Sequence, residues 1–518
     1  MMSVDKLRGS KHINRISPSE IGLLMSAQSY RPEITQAIRK IKSLNWSSLQ
    51  ELVVNTISPG PHPKYGGSYP CLKTKNVDGL LATHEPADYA DPSVFKDLNK
   101  VTVKEGDLLI NLTGAGSIGR VSLYYGKDKP ITNQHIARMS VKTGTDEGYL
   151  ACFLRSWWGE RALEQGVAGS TGQINMVNEH VRSIPVYLPD PQAQKYIGDK
   201  VRQAEQLRAW AKQVVSNLHR EFEGFYRPIT HYDSFRRMSY PIRPDQLFEV
   251  LTPASYPPHI EKYFEENPNV TLGEICSDIY IGKTLASIES SDGVKQATSR
   301  SCSGLFLKQP MNLVERKGNV DPLAKKDILL TNAAHDKNYI GKDVSFNHSD
   351  ELILPSAKVL VIRLKECGIP ASYVHAYLMT EAGYTQWQAI VRGISAGIHP
   401  SDVARIRIPV PEDRSPLETM AVKADDLYIQ AGLAQEVSRL LTIAAKNLVE
   451  ALIEGQLTEQ QLIQAQQALD DGDNSLDQAI LSKLSNQGYA IEGATPLFSD
   501  IDELYCLLES AAQTEAEE

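Results

Sequence analysis

Long hydrophobic runs and paired cysteines are both missing from this sequence. No apolar stretch approaches the roughly 18–20 residues that would cross a bilayer, and the run at residues 21–25 is too short for the core of a signal peptide. The six cysteines occur singly, without a CxxC pair or a Cys/His spacing that could hold zinc. We therefore expect reduced thiols, no membrane segment and a cytoplasmic location.

The common catalytic motifs are absent as well. The chain has no GxxxxGK[ST] loop for ATP, no HExxH, no GxSxG and no Asn/Asp-Pro-Pro-aromatic tetrapeptide of the kind that amino-methyltransferases use. Its 12 histidines form no spaced ligand set. We therefore expect no catalytic residue, no metal site and no cofactor in this chain.

One glycine-rich segment has the spacing of a dinucleotide-binding motif. Residues 114–119 match GxGxxG after a predicted strand, but a dinucleotide site needs a helix that begins within the motif and holds the pyrophosphate. Residues 120–125 continue instead as a β-branched and aromatic run. The pattern therefore favours a tight turn with exposed backbone amides over a stand-alone nucleotide-dependent enzyme, and a cofactor titration distinguishes the two.

The negative charge is concentrated at the C-terminus. The formal net charge is -9, but the segment from Gln456 to Glu518 alone contains 13 acidic residues and one basic residue, Lys483. The remaining chain is slightly positive, at about +3, which is compatible with contact to nucleic acid.

The chain contains an internal repeat. Residues 181–189 match residues 403–411 at an offset of 222, and six further pairs keep the same order at offsets of 220–226. Those pairs are residues 26–30 and 252–256, 49–52 and 272–275, 106–109 and 326–329, 118–120 and 340–342, Arg138 and Arg363, and Tyr149 and Tyr373. Such an ordered series indicates duplication of one unit. Each copy is predicted to mix short strands with a helix, at residues 148–165 in the first and 372–390 in the second.

A long helix is predicted after each copy. Asp190 can cap the first, with Pro191 at its first position, and it can extend to about Glu223. A capping box at residues 415–418 begins the second, which can extend to Glu454. Apolar residues recur in both at the spacing of a coiled coil, which needs a partner helix; the alternative is that each helix packs on its own domain. Six residues of these rows are predicted to bind partners: Ile197, Ala204, Leu207, Leu427, Leu441 and Leu448.

These observations predict an α+β protein with two similar mixed α/β domains. Two long antiparallel coiled-coil helices would separate the domains, related by a pseudo-two-fold axis, and an acidic helical tail would follow. The predicted boundaries are residues 1–189 and 224–411 for the two domains, 190–223 and 412–455 for the helices, and 456–518 for the tail. The first helix would be roughly 50 Å long, which corresponds to about 15 base pairs of DNA.

The order of segments in the first copy resembles the specificity subunit of type I restriction-modification systems. The resemblance is carried by residues 106–110, 113–120, Asn133, Arg138 and 184–189 leading into Gln194 and Ile197, and it extends over about residues 45–455. It implies two target recognition domains, each of which reads one half of a bipartite double-stranded DNA site. The helices would set the gap and dock two methyltransferase subunits, and restriction subunits can join such complexes. The resemblance also implies that this chain is not an enzyme, because S-adenosylmethionine, ATP and magnesium act in the partner subunits.

Two features depart from the family pattern. The second copy lacks the glycine turn and has Lys326 where the first has Gly106, and the acidic tail lies outside the pattern. We expect the tail either to dock on a basic surface of a partner subunit or to form a solvated appendage.

Candidate DNA contacts follow from side-chain chemistry. Basic residues can contact phosphates or guanine edges, and amide side chains can read adenine. In the first copy these residues are Lys73, Thr113, Ser117, Arg120, Arg138, Gln173 and Asn175, and in the second they are Lys283, Asn332, Lys342 and Arg363. Arg138 and Arg363 lie on predicted strands, so structural roles are open for both. Two further alternatives are a specificity-like adaptor of another phage-defence complex, which would recruit a different effector through its tail, and a structural dimeriser that does not bind DNA.

Overall fold

The computed structural model describes residues 14–95, 97–168, 175–226, 241–244, 247–248, 251–288, 293–316, 320–393 and 396–516. The chain forms two compact units. Unit 1 combines Met1–Leu207 with Val437–Glu518, and unit 2 is Arg208–Glu436. The division falls inside both long helices, so each helix contributes residues to both units.

The N-terminal part of unit 1 consists of short elements. Its helices are α1 (Pro32–Lys42), α2 (Leu98–Val101), α3 (Glu147–Arg155), α4 (Trp157–Glu164) and α5 (Asn178–Ser183). Its strands are β1 (Trp46–Ser48), β2 (Tyr65–Leu72), β3 (Asp88–Ala90), β4 (Asp107–Asn111), β5 (Val121–Tyr124), β6 (Ile131–Thr132), β7 (Ile136–Ser140), β8 (Val167–Ala168), β9 (Asn175–Met176) and β10 (Pro185–Tyr187). The first long helix, α6 (Pro191–Glu223), follows.

The sheets of unit 1 are small and mostly antiparallel. Strand β4 lies between β5 and β7, and all five of its residues are buried. Strand β2 lies between β3 and β6, while β1 pairs with β10 and β8 pairs with β9. A central apolar cluster includes Leu72, Leu109, Tyr124 and Ile136, so side chains from two sheets share one core.

Unit 2 repeats this plan. Its helices are α7 (Pro258–Glu266), α8 (Leu272–Ile275), α9 (Ala371–Leu378), α10 (Glu381–Ala389) and α11 (Pro400–Val403). Its strands are β11 (Asn269–Thr271), β12 (Cys276–Ile281), β13 (Val294–Ala297), β14 (Asn312–Val314), β15 (Ile328–Thr331), β16 (Val344–Phe346), β17 (Ile353–Pro355), β18 (Val359–Leu364) and β19 (Arg407–Pro409). The second long helix is α12 (Ser415–Glu454).

The repeated sequence segments form equivalent pairings in the two units. The antiparallel order β5-β4-β7 recurs as β16-β15-β18, with β12 added at the edge of the second sheet. The pair β1 and β10 recurs as β11 and β19, so that Trp46 lies opposite Tyr187 and Asn269 opposite Pro409. The same numerical offsets that match the sequences therefore also match the strand pairings.

The predicted helix at residues 148–165 is two helices, and this is a correction. Ser156 ends α3 and its side chain accepts a hydrogen bond from Gly159 N at the start of α4. The helix predicted at residues 372–390 is divided in the same way, since Thr380 accepts from Gly383 N. A side-chain oxygen at such a position satisfies a free N–H at a helix start, so a Ser or Thr followed by glycine three residues later marks the break.

The two long helices run antiparallel within unit 1. The backbone N–H of Asp190, just before α6, donates to Glu459, just after α12. Farther along, Ser438 Oγ of α12 donates to the carbonyl of Ala204 in α6 at 2.6 Å. As residue numbers rise along one helix they fall along the other. In unit 2 the helices also meet, where the rings of His219 and Tyr428 stack with centroids 5.9 Å apart.

The acidic C-terminal segment is folded and belongs to unit 1. It comprises α13 (Glu459–Asp470), α14 (Ser475–Leu481), the hairpin β20 (Leu484–Ser485) and β21 (Gly488–Tyr489), and α15 (Ile501–Ala516). Asp477 carries the main contact: its carboxylate accepts hydrogen bonds from Tyr196 and Tyr505 and lies 2.7 Å from Lys200 Nζ. The side chains of Lys200 and Asp477 are both only 1% exposed. The expectation of a solvated appendage is therefore wrong, because this segment packs on α6.

Candidate nucleic-acid interface

Four of the predicted DNA-contact residues of unit 1 lie close together at the end of strand β4. Thr113 follows this strand and bridges to Asn175 of β9. Ser117 and Arg120 belong to the turn that joins β4 to β5. Gln173 lies outside the described residues. The structure thus places Thr113, Ser117 and Arg120 at one end of the β5-β4-β7 sheet, with Asn175 bridged to Thr113 from strand β9.

The glycine turn, residues 114–119, leads into a strand and not into a helix. Gly114, Gly116 and Gly119 have φ angles of 112°, 77° and 79°, a region that other residues rarely adopt. Several of its N–H groups donate within the turn, as in the bond from Ile118 N to Gly114 O. Strand β5 begins at Val121. The turn therefore lacks the helix N-terminus on which dinucleotide binding depends.

Sequence reasoning missed two polar residues beside Thr113. Its Oγ1 lies 2.8 Å from Nδ1 of His135, and Nε2 of Gln134 lies 3.1 Å from Nε2 of the same ring. The imidazole of His135 thus links Thr113 to Gln134 through hydrogen bonds at both of its ring nitrogens. Comparison of the copies could have found this position, since unit 2 has Lys358 at the site equivalent to His135.

A cavity of about 340 Å³ lies beside the glycine turn. Its lining includes Gly116, Arg120, Arg31, Arg155 and Glu160. Burial raises the pKa of Glu160 and lowers the pKa of Arg155, since both charged forms lose hydration. Arginine remains protonated at any physiological pH, so the cavity contains fixed positive charge.

Two other predicted residues of unit 1 have internal partners. Lys73 Nζ lies 2.5 Å from Asp88 and 4.0 Å from the centroid of the Tyr65 ring. The guanidinium of Arg138 donates to the carbonyl of Thr102 and contacts the buried Asp107. Desolvation raises the pKa of Asp107 despite its hydrogen bonds to Ser140 and Lys104. Arg138 thus stabilises a buried carboxylate of the sheet.

The predicted residues of unit 2 lie on or next to strands β12, β15, β16 and β18. Arg363 forms two hydrogen bonds with Asp327, at 2.9 and 2.7 Å, and so repeats the pair of Arg138 and Asp107. Lys342 lies over the ring of Tyr339 at 5.6 Å. The Oδ1 atom of the buried Asn332 has no hydrogen-bond partner among the described residues. Lys283 donates its backbone N–H to Pro355 O, on strand β17.

The six residues that were predicted to bind partners differ in how far their side chains are buried. Five are fully buried within the chain and the sixth, Leu427, is half-buried. The five are Ile197, Ala204, Leu207, Leu441 and Leu448. Their side chains contact residues of this chain, so the rows of apolar residues serve its internal packing.

The described ranges contain neither a candidate membrane span nor a candidate metal cluster. No helix among those residues is long and apolar enough to cross a membrane. No group of three or more His, Cys, Asp or Glu side chains in the same ranges could hold a metal ion.

One protein-family model matches a segment that lies mostly in unit 1. Residues 62–214 match the model of the family described as type I restriction modification DNA specificity domain. This segment includes the glycine turn, both central sheets of unit 1 and the first part of α6. The resemblance to type I specificity subunits is confirmed. No curated protein matches the chain significantly.

Three solved structures align over most of this chain at low identity. The S subunit of a type I system from M. genitalium is 12% identical, with 79% of this chain and 96% of that chain covered and a TM-score of 0.42. The HsdS subunit from Thermoanaerobacter tengcongensis is 14% identical, with 80% and 97% covered and a TM-score of 0.26. A chain from a study of complex assembly and conformational transition of the type I R-M system is 15% identical, with 80% and 98% covered and a TM-score of 0.28.

Proposed function

We propose that this chain is the DNA sequence-specificity subunit of a cytoplasmic type I restriction-modification complex. The main support is that the central sheet and helix pair of unit 1, which lie within the family match, recur in unit 2 with the same pairing order. A duplicated reader suits a bipartite site, because each unit can contact one half-site.

The two units would read different half-sites. Thr113 and His135 of unit 1 are replaced by Ala333 and Lys358 at equivalent positions of unit 2. A hydroxyl and an imidazole can both donate and accept hydrogen bonds, whereas a lysine only donates. Because base edges differ in their donors and acceptors, unlike side chains on equivalent backbones favour an asymmetric DNA sequence.

The long helices would set the gap between half-sites and dock partner subunits. We propose the predicted two-domain arrangement with antiparallel coiled-coil helices, supported by the direction of the helices in unit 1. Two methyltransferase subunits would bind outward-facing positions of the helices, such as the half-buried Leu427 and the exposed Val422 of α12. Those partners would supply the chemistry, with S-adenosylmethionine as methyl donor, and restriction subunits would use ATP and magnesium.

The decisive experiment is to co-express the chain with its neighbouring genes and map methylated adenines across the host genome. We expect one bipartite motif with a constant gap. Methylation without such a motif, or none in the presence of an active methyltransferase subunit, would contradict the proposal.

Two matched variants sharpen this test. Asn175→Ala in unit 1 should relax the motif in one half-site only, since a bidentate base contact is worth about 1–3 kcal/mol of discrimination. Lys358→Ala in unit 2 should relax the other half-site only. Relaxation of both halves by either variant would contradict separate reading by the two units.

A further inference from the structure

Arg155 differs from the other arginines that line the cavity beside the glycine turn. Arg31 lies 2.7 Å from Glu164, and Arg120 forms an ion pair with Asp78. The guanidinium of Arg155 makes no hydrogen bond or ion pair within 4 Å to any of the described residues, although it is partly buried. Glu160 and Asp78 act on its charge only from a longer distance. A partly desolvated cation without a direct hydrogen bond or ion pair is unfavourable unless a ligand compensates it.

The glycine turn presents a second set of donors beside this cavity, which Gly116 itself lines. The N–H groups of Ala115 and Gly116 have no acceptor in the described part of the chain, unlike those of residues 117–120. Both residues are exposed, and a Cβ built at Gly116 would meet nothing within 4 Å. Successive free N–H groups in a turn form a concave site that suits an anion.

The lining gives this anion site a limited negative counter-charge. The carboxylate of Glu164 forms ion pairs with Arg31 and with Arg161, whose Nη2 lies 2.6 Å from Glu164 Oε1. Glu160 also faces Arg155 and Arg161, and its burial disfavours the charged form. Arg155 therefore remains available to a ligand that enters the cavity from solvent.

We propose that Arg155 and the backbone N–H groups of Ala115 and Gly116 bind a backbone phosphate of duplex DNA. This inference rests on the proposed function and adds a residue that neither the repeat nor the motif indicated. Guanidinium groups and backbone amides are the donors that most often contact DNA phosphates, and such contacts fix the register of a protein on the duplex.

The second unit supplies an internal control. The N-cap residues Ser156 and Thr380 are equivalent at an offset of 224, so Met379 occupies the position of Arg155. In the turn, the flanking offsets of 220 and 222 place Asp336 or Asn338 at the position of Gly116, and neither is glycine. Unit 2 therefore lacks both the arginine and the glycine, and the phosphate contact belongs to unit 1 alone.

The test compares Arg155→Gln with Met379→Gln in the full-length chain. The probe is a labelled 40-base-pair duplex of mixed sequence, titrated at several salt concentrations. Loss of one phosphate contact should lower the slope of log K against log salt by about 0.9 and weaken binding roughly fivefold at 0.1 M salt. Met379→Gln should change neither quantity, and Arg155→Lys, which keeps the charge, should retain most of the slope.

The outcomes separate this inference from the proposed function. If the unaltered chain binds the duplex and Arg155→Gln binds with the same slope, the phosphate site is refuted while DNA reading stands. If the unaltered chain shows no salt-dependent DNA binding, the proposed function itself fails. Calorimetric titration with inorganic phosphate and with ATP forms the second arm. Tight binding of either, lost in Arg155→Gln, would overturn the DNA proposal and assign the cavity to a small phosphate ligand.

Discussion

Helix α3 of unit 1 and the equivalent helix α9 of unit 2 both begin against one of the long helices. The carboxylate at this helix start comes from the domain in unit 1 and from the long helix in unit 2. In unit 1, Asp146 of the domain caps α3, and Arg202 of α6 lies 2.8 Å from that carboxylate. In unit 2, Pro370 occupies the cap position, and α12 supplies Asp425, whose Oδ1 accepts from Ser372 N at 2.9 Å. A carboxylate lies at the helix start in both units, where it is favoured by the helix dipole.

This difference shows what duplication has preserved and what it has not. In both copies the free N–H groups at the helix start face a carboxylate. In unit 1 this carboxylate precedes the helix itself, and in unit 2 it belongs to the long helix α12. If an aspartate such as Asp425 stood in place of Arg202 in unit 1, it would face Asp146, and two carboxylates would be close together. The charges therefore specify which long helix each domain accepts at this point.

The largest expected difference between the units concerns Asp477. Asp477→Ala should lower the free energy of unfolding of unit 1 by about 4 kcal/mol, because the buried Lys200 would lose its counter-charge. Hydrogen exchange in urea, resolved by peptide, measures each unit separately. The control is Lys423→Met, since Lys423 is the exposed equivalent of Lys200 in unit 2 and should matter by less than about 0.5 kcal/mol. An equal loss of protection in both units would refute this account.

Acid should destabilise unit 2 more than unit 1. Burial lowers the pKa of His348 to about 4 and that of His375 to about 3, whereas unfolded histidine titrates near 6.5. The unfolded state thus binds more protons below pH 6.5, so this stability is complete above that pH and is lost as the pH falls toward 4. At pH 5.5 the loss relative to pH 8 should be about 3 kcal/mol.

The repeat provides the reason and the control for this pH effect. Position 375 is equivalent to Ala151 in unit 1. His375 donates from Nε2 to Val344 O and accepts from Tyr428 at Nδ1, so protonation removes an acceptor for a buried hydroxyl. His348→Gln should reduce the loss of stability of unit 2 between pH 8 and pH 5.5 by about 1.4 kcal/mol, measured by urea titration at both pH values. An unchanged dependence would exclude this histidine as its source.

Substitution of the glycine near the start of the second short helix should destabilise both units to a similar, smaller extent. Gly159→Ala and Gly383→Ala should each lower the free energy of unfolding by about 2 kcal/mol, because a Cβ would lie 2.1 Å from Phe153 O and 2.6 Å from Leu378 O, respectively. Gly79→Ala is the control, since its Cβ would meet nothing closer than 3.6 Å. Thermal unfolding monitored by circular dichroism checks all three. If the control were as damaging as the other two, close helix contact would not be the cause.

The smallest effect should have opposite signs in the two units. Gly106 and Lys326 are equivalent and have φ angles of 81° and 72°, so the loop geometry survives the replacement of glycine. Lys326→Gly should raise the free energy of unfolding by about 0.5–1 kcal/mol, and Gly106→Ala should lower it by about 1 kcal/mol. The side chain of Lys326 is 41% exposed and that of Asp425 only 8%, so solvent screens this ion pair from the lysine side and weakens its contribution. Urea unfolding of both variants measures the two signs, and equal signs would contradict the strain argument.

Much of the fold could be predicted because it depends on local and repeated patterns. The segments around residues 107–112, 121–125 and 137–141 form strands β4, β5 and β7, and α6 begins behind Asp190 as the capping pattern indicates. The turn at residues 114–119 was predicted from the missing helix. These features follow from residues that are near in sequence or from matches between the copies.

The features that could not be predicted depend on contacts between distant residues. Asp477 reaches Lys200 across 277 positions, and no periodicity marks either residue. Arg155 is the last residue of α3, and polar residues are common at helix ends. Its position in the lining of the cavity is visible only in the structure. His135 gains its role from Thr113, 22 positions earlier, through strand pairing that sets their side chains together.

The division of unit 1 into two chain segments affects the order of synthesis. A ribosome completes all of unit 2 before it makes the second segment of unit 1, so the ammonium group of Lys200 stays in water while unit 2 is synthesised. The N-terminal segment of unit 1 can close its sheets early, but the burial of Lys200 depends on residues that are made after unit 2. A nascent chain stalled before Asp477 would thus carry a complete second unit beside an unfinished first one.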